Sequence, residues 1–117
     1  MSEHNTINLV QQFIEAVNGR DGVRIGALVA DDVAHDRGGA RAIGAEALRA
    51  YFATRAAKLG ETLADAAILT GQDGGRAAVE FTRRGRDADG SSYSTAGGWF
   101  LDIDDGRISR ISDYSAG

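Results

Sequence analysis

The chain has 117 residues, of which 26% are charged, with a net charge of −4, no cysteine and no proline. That length suits one domain, expected over residues 1–117, burying roughly two-thirds of its unfolded surface. The acidity argues against a nucleic-acid partner, which needs a basic footprint, and the lack of cysteine excludes disulfides, thiolate nucleophiles and iron–sulfur ligation. The polar start M-S-E-H-N-T is not a secretory signal. No apolar run nears the ~20 residues that span a bilayer, so a membrane partner is not expected and the cytoplasm is the default location. Sixteen glycines must supply the turns that proline does not, and Gly85, Gly97 and Gly98 fall inside strand-like stretches, where glycine marks bulges or close approaches.

Taken in order, the first helix is expected to be capped by Asn5 or Thr6. Ile7, Val10, Phe13, Ile14 and Val17 recur at spacings of three and four and form one apolar stripe. Asn18-Gly19 ends the helix, since both tolerate the left-handed C-terminal conformation. Asp21 caps a second helix reaching about Ala30, with Ile25, Leu28 and Val29 inward, closed by Asp31-Asp32. That acidic pair reads as solvated rather than as a metal site, and no metal is expected. Val33–Asp36 is a short strand and 37–43 a loop. A third helix spans about Ala45 to Leu59, with Leu48, Phe52 and Leu59 inward, Arg49 and Lys58 toward water, and Gly60 as its stop.

Beyond Gly60 the period changes to two. In the stretch 61–70, Leu63, Ala67 and Leu69 share a side. Asp73-Gly74-Gly75 signals a hairpin. In 76–86, Ala77, Val79 and Phe81 share one face, while Ala78, Glu80, Thr82 and Arg84 share the other. Arg83, Arg84 and Arg86 read as a solvated strand end. After the turn at 87–90, the strand 91–104 sets Tyr93, Thr95, Gly97, Trp99, Leu101 and Ile103 on one face. The last strand, 107–115, carries Ser109, Ile111 and Asp113 together, with Ile108 and Tyr114 opposite unless a bulge intervenes. Helices first and strands after is the α+β pattern.

The segments F-I-E-A-V-N-G-R-D (13–21), A-L-V-A-D-D-V (27–33), G-A-E-A-L-R-A-Y-F (44–52), D-G-G-R-A-A-V-E-F (73–81) and D-G-R-I-S-R-I-S-D-Y (105–114) cover most of the chain. They resemble the nuclear-transport-factor-2-like, or SnoaL-like, superfamily, and within it the ketosteroid-isomerase-related group. The resemblance implies an α+β fold: a cone-shaped barrel in which three N-terminal helices pack on a curved antiparallel sheet. It implies an apolar pocket open at one end, no cofactor, and a homodimer formed through the sheet. Fold does not fix function, and the superfamily holds isomerases, cyclases, dehydratases, epoxide hydrolases and binding modules.

The catalytic candidates are Asp36, His35 and Asp113. Steroid isomerases use an aspartate near the end of the short strand as base, which points to Asp36 or its neighbour His35. Adjacent residues of a strand face opposite ways, so only one of them looks into the pocket. The other is expected to meet solvent or an arginine such as Arg37 or Arg41. Polyketide cyclases pair a histidine with an aspartate, and His35 with Asp113 would match across the cone. The oxyanion donors of the isomerases fall on Phe13 and Trp99, of which phenylalanine has no donor. Phe13, Tyr51, Phe52, Tyr93 and Trp99 are the candidate substrate-binding residues, although aromatics at such positions also serve as plain core. The aspartate–arginine–aspartate set of the epoxide hydrolases has no evident counterpart. The expected function is binding of an apolar, carbonyl-bearing or polycyclic small molecule, with proton transfer by an isomerase, cyclase or dehydratase; a non-catalytic binding or dimerisation module is the alternative.

Overall fold

The computed structural model describes residues 2–115. Three helices, α1 (Glu3–Asn18), α2 (Gly22–Leu28) and α3 (Ala45–Leu59), pack on six strands: β1 (Val29–Arg37), β2 (Ala40–Ile43), β3 (Thr62–Thr70), β4 (Arg76–Arg86), β5 (Ser92–Asp104) and β6 (Arg107–Ser115). The expected α+β cone is present. Its sheet is open and mixed, in the order β2-β1-β6-β5-β4-β3. Every pair is antiparallel except β1 with β6, which run parallel. Among the described residues no helix is long and apolar enough to cross a membrane.

The α1 cap is Ser2, whose side chain accepts from the Asn5 N–H at 3.1 Å. Thr6 is instead fully buried and donates its hydroxyl to Gly74 O at 2.6 Å, tying the helix start to the β3–β4 turn. At the other end the left-handed residue is Arg20, not Asn18 or Gly19. The Asn18 amide is used sideways, giving and accepting hydrogen bonds with the Leu63 backbone at 2.9 and 2.8 Å. Leu9, Val10, Phe13, Ile14 and Val17 bury the apolar face of α1 against Ala77, Val79, Phe81, Trp99, Leu101, Ile108 and Ile111 of the sheet.

Helix α2 stops at Leu28, and 29–37 continues as a long strand, so Asp31 and Asp32 lie on β1 rather than closing a helix. The weak helix former Gly26 has a packing reason: a Cβ there would press on Arg49 Cδ of α3 at 3.3 Å. The stretch 37–43 is a hairpin, with Gly38 and Gly39 at positive φ and β2 paired to β1.

Two bulges change which side chains face the core. Asp65, at φ 55°, sits in an irregularity between Ala64 and Ala67. The phase of β3 flips there, so Ile68 turns inward and Leu69 lies exposed, contrary to the simple alternation. On β6 the register shifts opposite Asp102 and Ile103, leaving Ser109 as the extra residue. That shift puts Ile108 on the core side with Ile111 and Asp113.

Candidate active site

His35 and Asp36 take opposite faces of β1. His35 turns inward and is 3% exposed. Asp36 turns outward, where Arg41 of β2 grips it bidentately at 2.5 and 2.9 Å and Arg110 of β6 stands 3.4 Å away. The hydrogen bond from Arg41, with the charges of Arg41 and Arg110, holds the Asp36 carboxyl below the usual carboxylate range against the opposing effect of burial. The sheet therefore turns the Asp36 side chain away from the His35 ring and toward the rim of the site.

Parallel pairing of β1 with β6 sets His35 opposite Ile111 and Arg37 opposite Asp113. The inward phase that the β6 bulge imposes then aims Asp113 at His35, with Nε2 of His35 3.3 Å from Oδ2 of Asp113. Tyr51 of α3 completes the group: its hydroxyl lies 3.5 Å from the same carboxylate oxygen, and its ring meets the imidazole edge to face at 4.7 Å. Burial, then the negative charge of Asp113, push the Tyr51 phenol above its ordinary value.

Arg83 holds the other oxygen of Asp113. Its alternation with Ala77, Val79 and Phe81 carries it inside, so it is not part of a solvated strand end as expected. Its guanidinium bonds Oδ1 of Asp113, Ser115 Oγ at 2.6 Å and the Tyr114 carbonyl at 3.1 Å. The side chain crosses β5 at Gly97, where any Cβ would collide with it and with Phe81 Cε1 at 2.9 Å. That close approach requires glycine.

On its far side Arg83 faces a second buried acid, Glu61, at 3.8 Å. Arg55 clasps Glu61 bidentately at 2.7 and 2.6 Å, and the Tyr93 hydroxyl donates to it at 2.7 Å. Burial raises the Glu61 carboxyl, but the bonds from Arg55 and Tyr93, with the charges of Arg55 and Arg83, prevail and set it below its ordinary range. Burial and the Glu61 bond push the Tyr93 phenol up to about 12. The result is a carboxylate–arginine–carboxylate row, Asp113–Arg83–Glu61, built with a glutamate from the α3–β3 junction.

Of these groups Tyr51, Arg55, Arg83 and Asp113 line an open cleft of about 540 Å³, together with Asp36, Arg37 and Ser112 among others, while His35, Glu61 and Tyr93 lie behind its wall. Of the aromatic candidates, Tyr51 alone lines it. Phe13, Phe52 and Trp99 form an edge-to-face cluster in the core beneath, and Tyr93 is committed to Glu61. Trp99 Nε1 is buried without a hydrogen-bond partner among the described residues. The alternation of β4 carried a readable signal for Arg83; nothing local marks Glu61, whose partners lie on three other elements.

A SnoaL-like domain model matches residues 10–111. The fold is shared with a putative polyketide cyclase from Xanthomonas campestris pv. campestris, at 31% identity over 97% of this chain and 92% of that one, with a TM-score of 0.91. Another so described, from Pseudomonas putida KT2440, is 31% identical over 97% and 91% of the two chains, with a TM-score of 0.88. An LEH-like epoxide hydrolase from M. tuberculosis, 21% identical over 99% and 82% of the chains with a TM-score of 0.82, shares the fold. No curated protein matches the chain.

Proposed function

We propose that this chain, which belongs to the SnoaL-like domain family, binds a carbonyl-bearing ring compound in the cleft and moves a proton on it without a cofactor. The supporting observation is the 3.3 Å contact that buried His35 makes with Asp113, a carboxylate that lines that cleft. In this reading Asp113, held by Arg83, is the carboxylate that takes a proton from carbon next to the carbonyl. His35, behind it, is a positioning residue that donates to the carboxylate through Nε2. Tyr51, a phenol that stays protonated at neutral pH, would donate to the oxygen where charge develops. It supplies from α3 the donor that Phe13 lacks on α1. A cyclase, isomerase or dehydratase would each need this first step.

Deuterium uptake by 2-tetralone in heavy water tests the proposal. Asp113→Asn should slow the catalysed exchange about a hundredfold and His35→Ala about tenfold or more, while Asp36→Asn stays within about threefold. Exchange that survives both Asp113→Asn and His35→Ala would remove the assignment.

The Asp113–Arg83–Glu61 row favours a second reading, in which Asp113 activates water for epoxide opening. Opening of styrene oxide in labelled water, with the label in the diol and no exchange of tetralone, would select it over carbonyl chemistry.

We also infer a homodimer through the outer sheet face. Phe100 and Tyr114 pack edge to face there yet stay 61% and 55% exposed. If no turnover is found, this face and the cleft together would make a binding module. Light scattering that gives a monomer for the parent chain would refute the dimer.

A further inference from the structure

The cleft is lined by three arginines, and their partners differ. Arg83 is committed to Asp113 and Glu61, and Arg55 to Glu61. Asp36, the remaining acid at the rim, is held by Arg41 and Arg110. Each of these carboxylates therefore has an arginine of its own. Arg37 makes no ion pair or hydrogen bond through its guanidinium with any other described residue. It lies two residues beyond His35 on the same side of β1, and its guanidinium carbon sits 4.3 Å from the centroid of the Tyr51 ring. Beyond it, Gly38 and Gly39 leave open space, with nothing within 4 Å of where a Cβ would stand.

We propose that Arg37 binds an anionic group of the ligand, most simply a carboxylate, at the mouth of the cleft. The proposal rests on the reading of the cleft as the ligand site and narrows the ligand to a ring compound carrying an acid. A guanidinium resting on an aromatic face is oriented without using its in-plane donors, which remain free for the two oxygens of a carboxylate. It has no ion-pair partner among the described residues, although the protein as a whole carries −4. An acid bound there would lie against Tyr51, with the rest of the ring directed toward Asp113 and His35. Arg37 would thus sort ligands by charge and set which end enters first.

The test compares 2-naphthoate with uncharged 2-naphthamide, titrated into the full chain and followed by calorimetry and by amide NMR shifts around Tyr51. The parent should bind naphthoate about tenfold more tightly. Arg37→Gln should abolish that preference by weakening naphthoate about tenfold more than naphthamide, and Arg37→Lys should keep part of it. Equal affinity of the parent for both probes, or a preference that survives Arg37→Gln, overturns the role of Arg37 and leaves the cleft reading standing. Failure of both probes to bind, or shifts confined elsewhere, overturns the cleft reading and this inference with it.

Discussion

Replacing Arg83 by methionine keeps a long apolar stem and removes only the charge and its donors. The three charged side chains in the row are almost dry, with Arg83 and Asp113 each 5% exposed and Glu61 7%. Solvent cannot take over what the guanidinium supplied. Asp113 would keep the 3.3 Å contact to His35 and the 3.5 Å contact to Tyr51 but lose the one arginine that pairs with it among the described residues. Glu61 would keep Arg55 and Tyr93. Removing one partner of a buried pair costs about 3–5 kcal/mol. With an unfolding entropy of about 2.1 cal/mol/K per residue, 117 residues give about 0.25 kcal/mol/K. The melting temperature should therefore fall by about 12–20 °C. Urea denaturation and calorimetry of Arg83→Met, Asp113→Leu and the double variant measure it. The double variant should cost less than the sum of the singles by about 2 kcal/mol or more, since no unpaired charge is left between them. A loss below about 1 kcal/mol for Arg83→Met, or strict additivity, would show that the row is effectively solvated and refute the argument.

Glu61 titrates below its ordinary value of 4.5 when folded. A group of that kind contributes stability that is complete above the unfolded value and is lost as the pH falls through the folded one. The stability gap between the parent and Glu61→Gln should thus be widest above pH 4.5 and narrow on acidification; urea midpoints at neutral and acid pH show whether it does. Tyr93, titrating at about 12, should remain protonated near pH 11, where an ordinary tyrosine is mostly ionised. In Glu61→Gln its midpoint should drop, read as the ultraviolet phenolate signal of parent against variant. Gly97→Ala, which drives a methyl group into Arg83 and Phe81, should cost about 1–3 kcal/mol and weaken any Asp113-dependent exchange. Unchanged stability there would mean that Arg83 does not cross at Gly97.

The sequence by itself carried the helices, the tight turns and most of the inward faces of the sheet, because those follow from local periodicity and from the backbone freedom of glycine. The apolar spacing of α1 and the Ala77–Val79–Phe81 alternation needed no partner to be read. Alternation also required that His35 and Asp36 face opposite ways. With apolar Val33 inward, the same alternation sets His35 on the core side, where it is buried, but what His35 meets there is not in the pattern. Asp113 was visible as a candidate, but its meeting with His35 depends on the parallel pairing of strands 78 positions apart and on a one-residue bulge at Ser109. Neither leaves a local mark in the residue pattern. Glu61 and Arg55 were invisible for a related reason, and Arg37 was legible only as a partner for an outward side chain, a role that Arg41 takes. A charged side chain reads as solvated until the tertiary structure closes over it or, as with Arg37, sets it against a ring at the edge of a cleft.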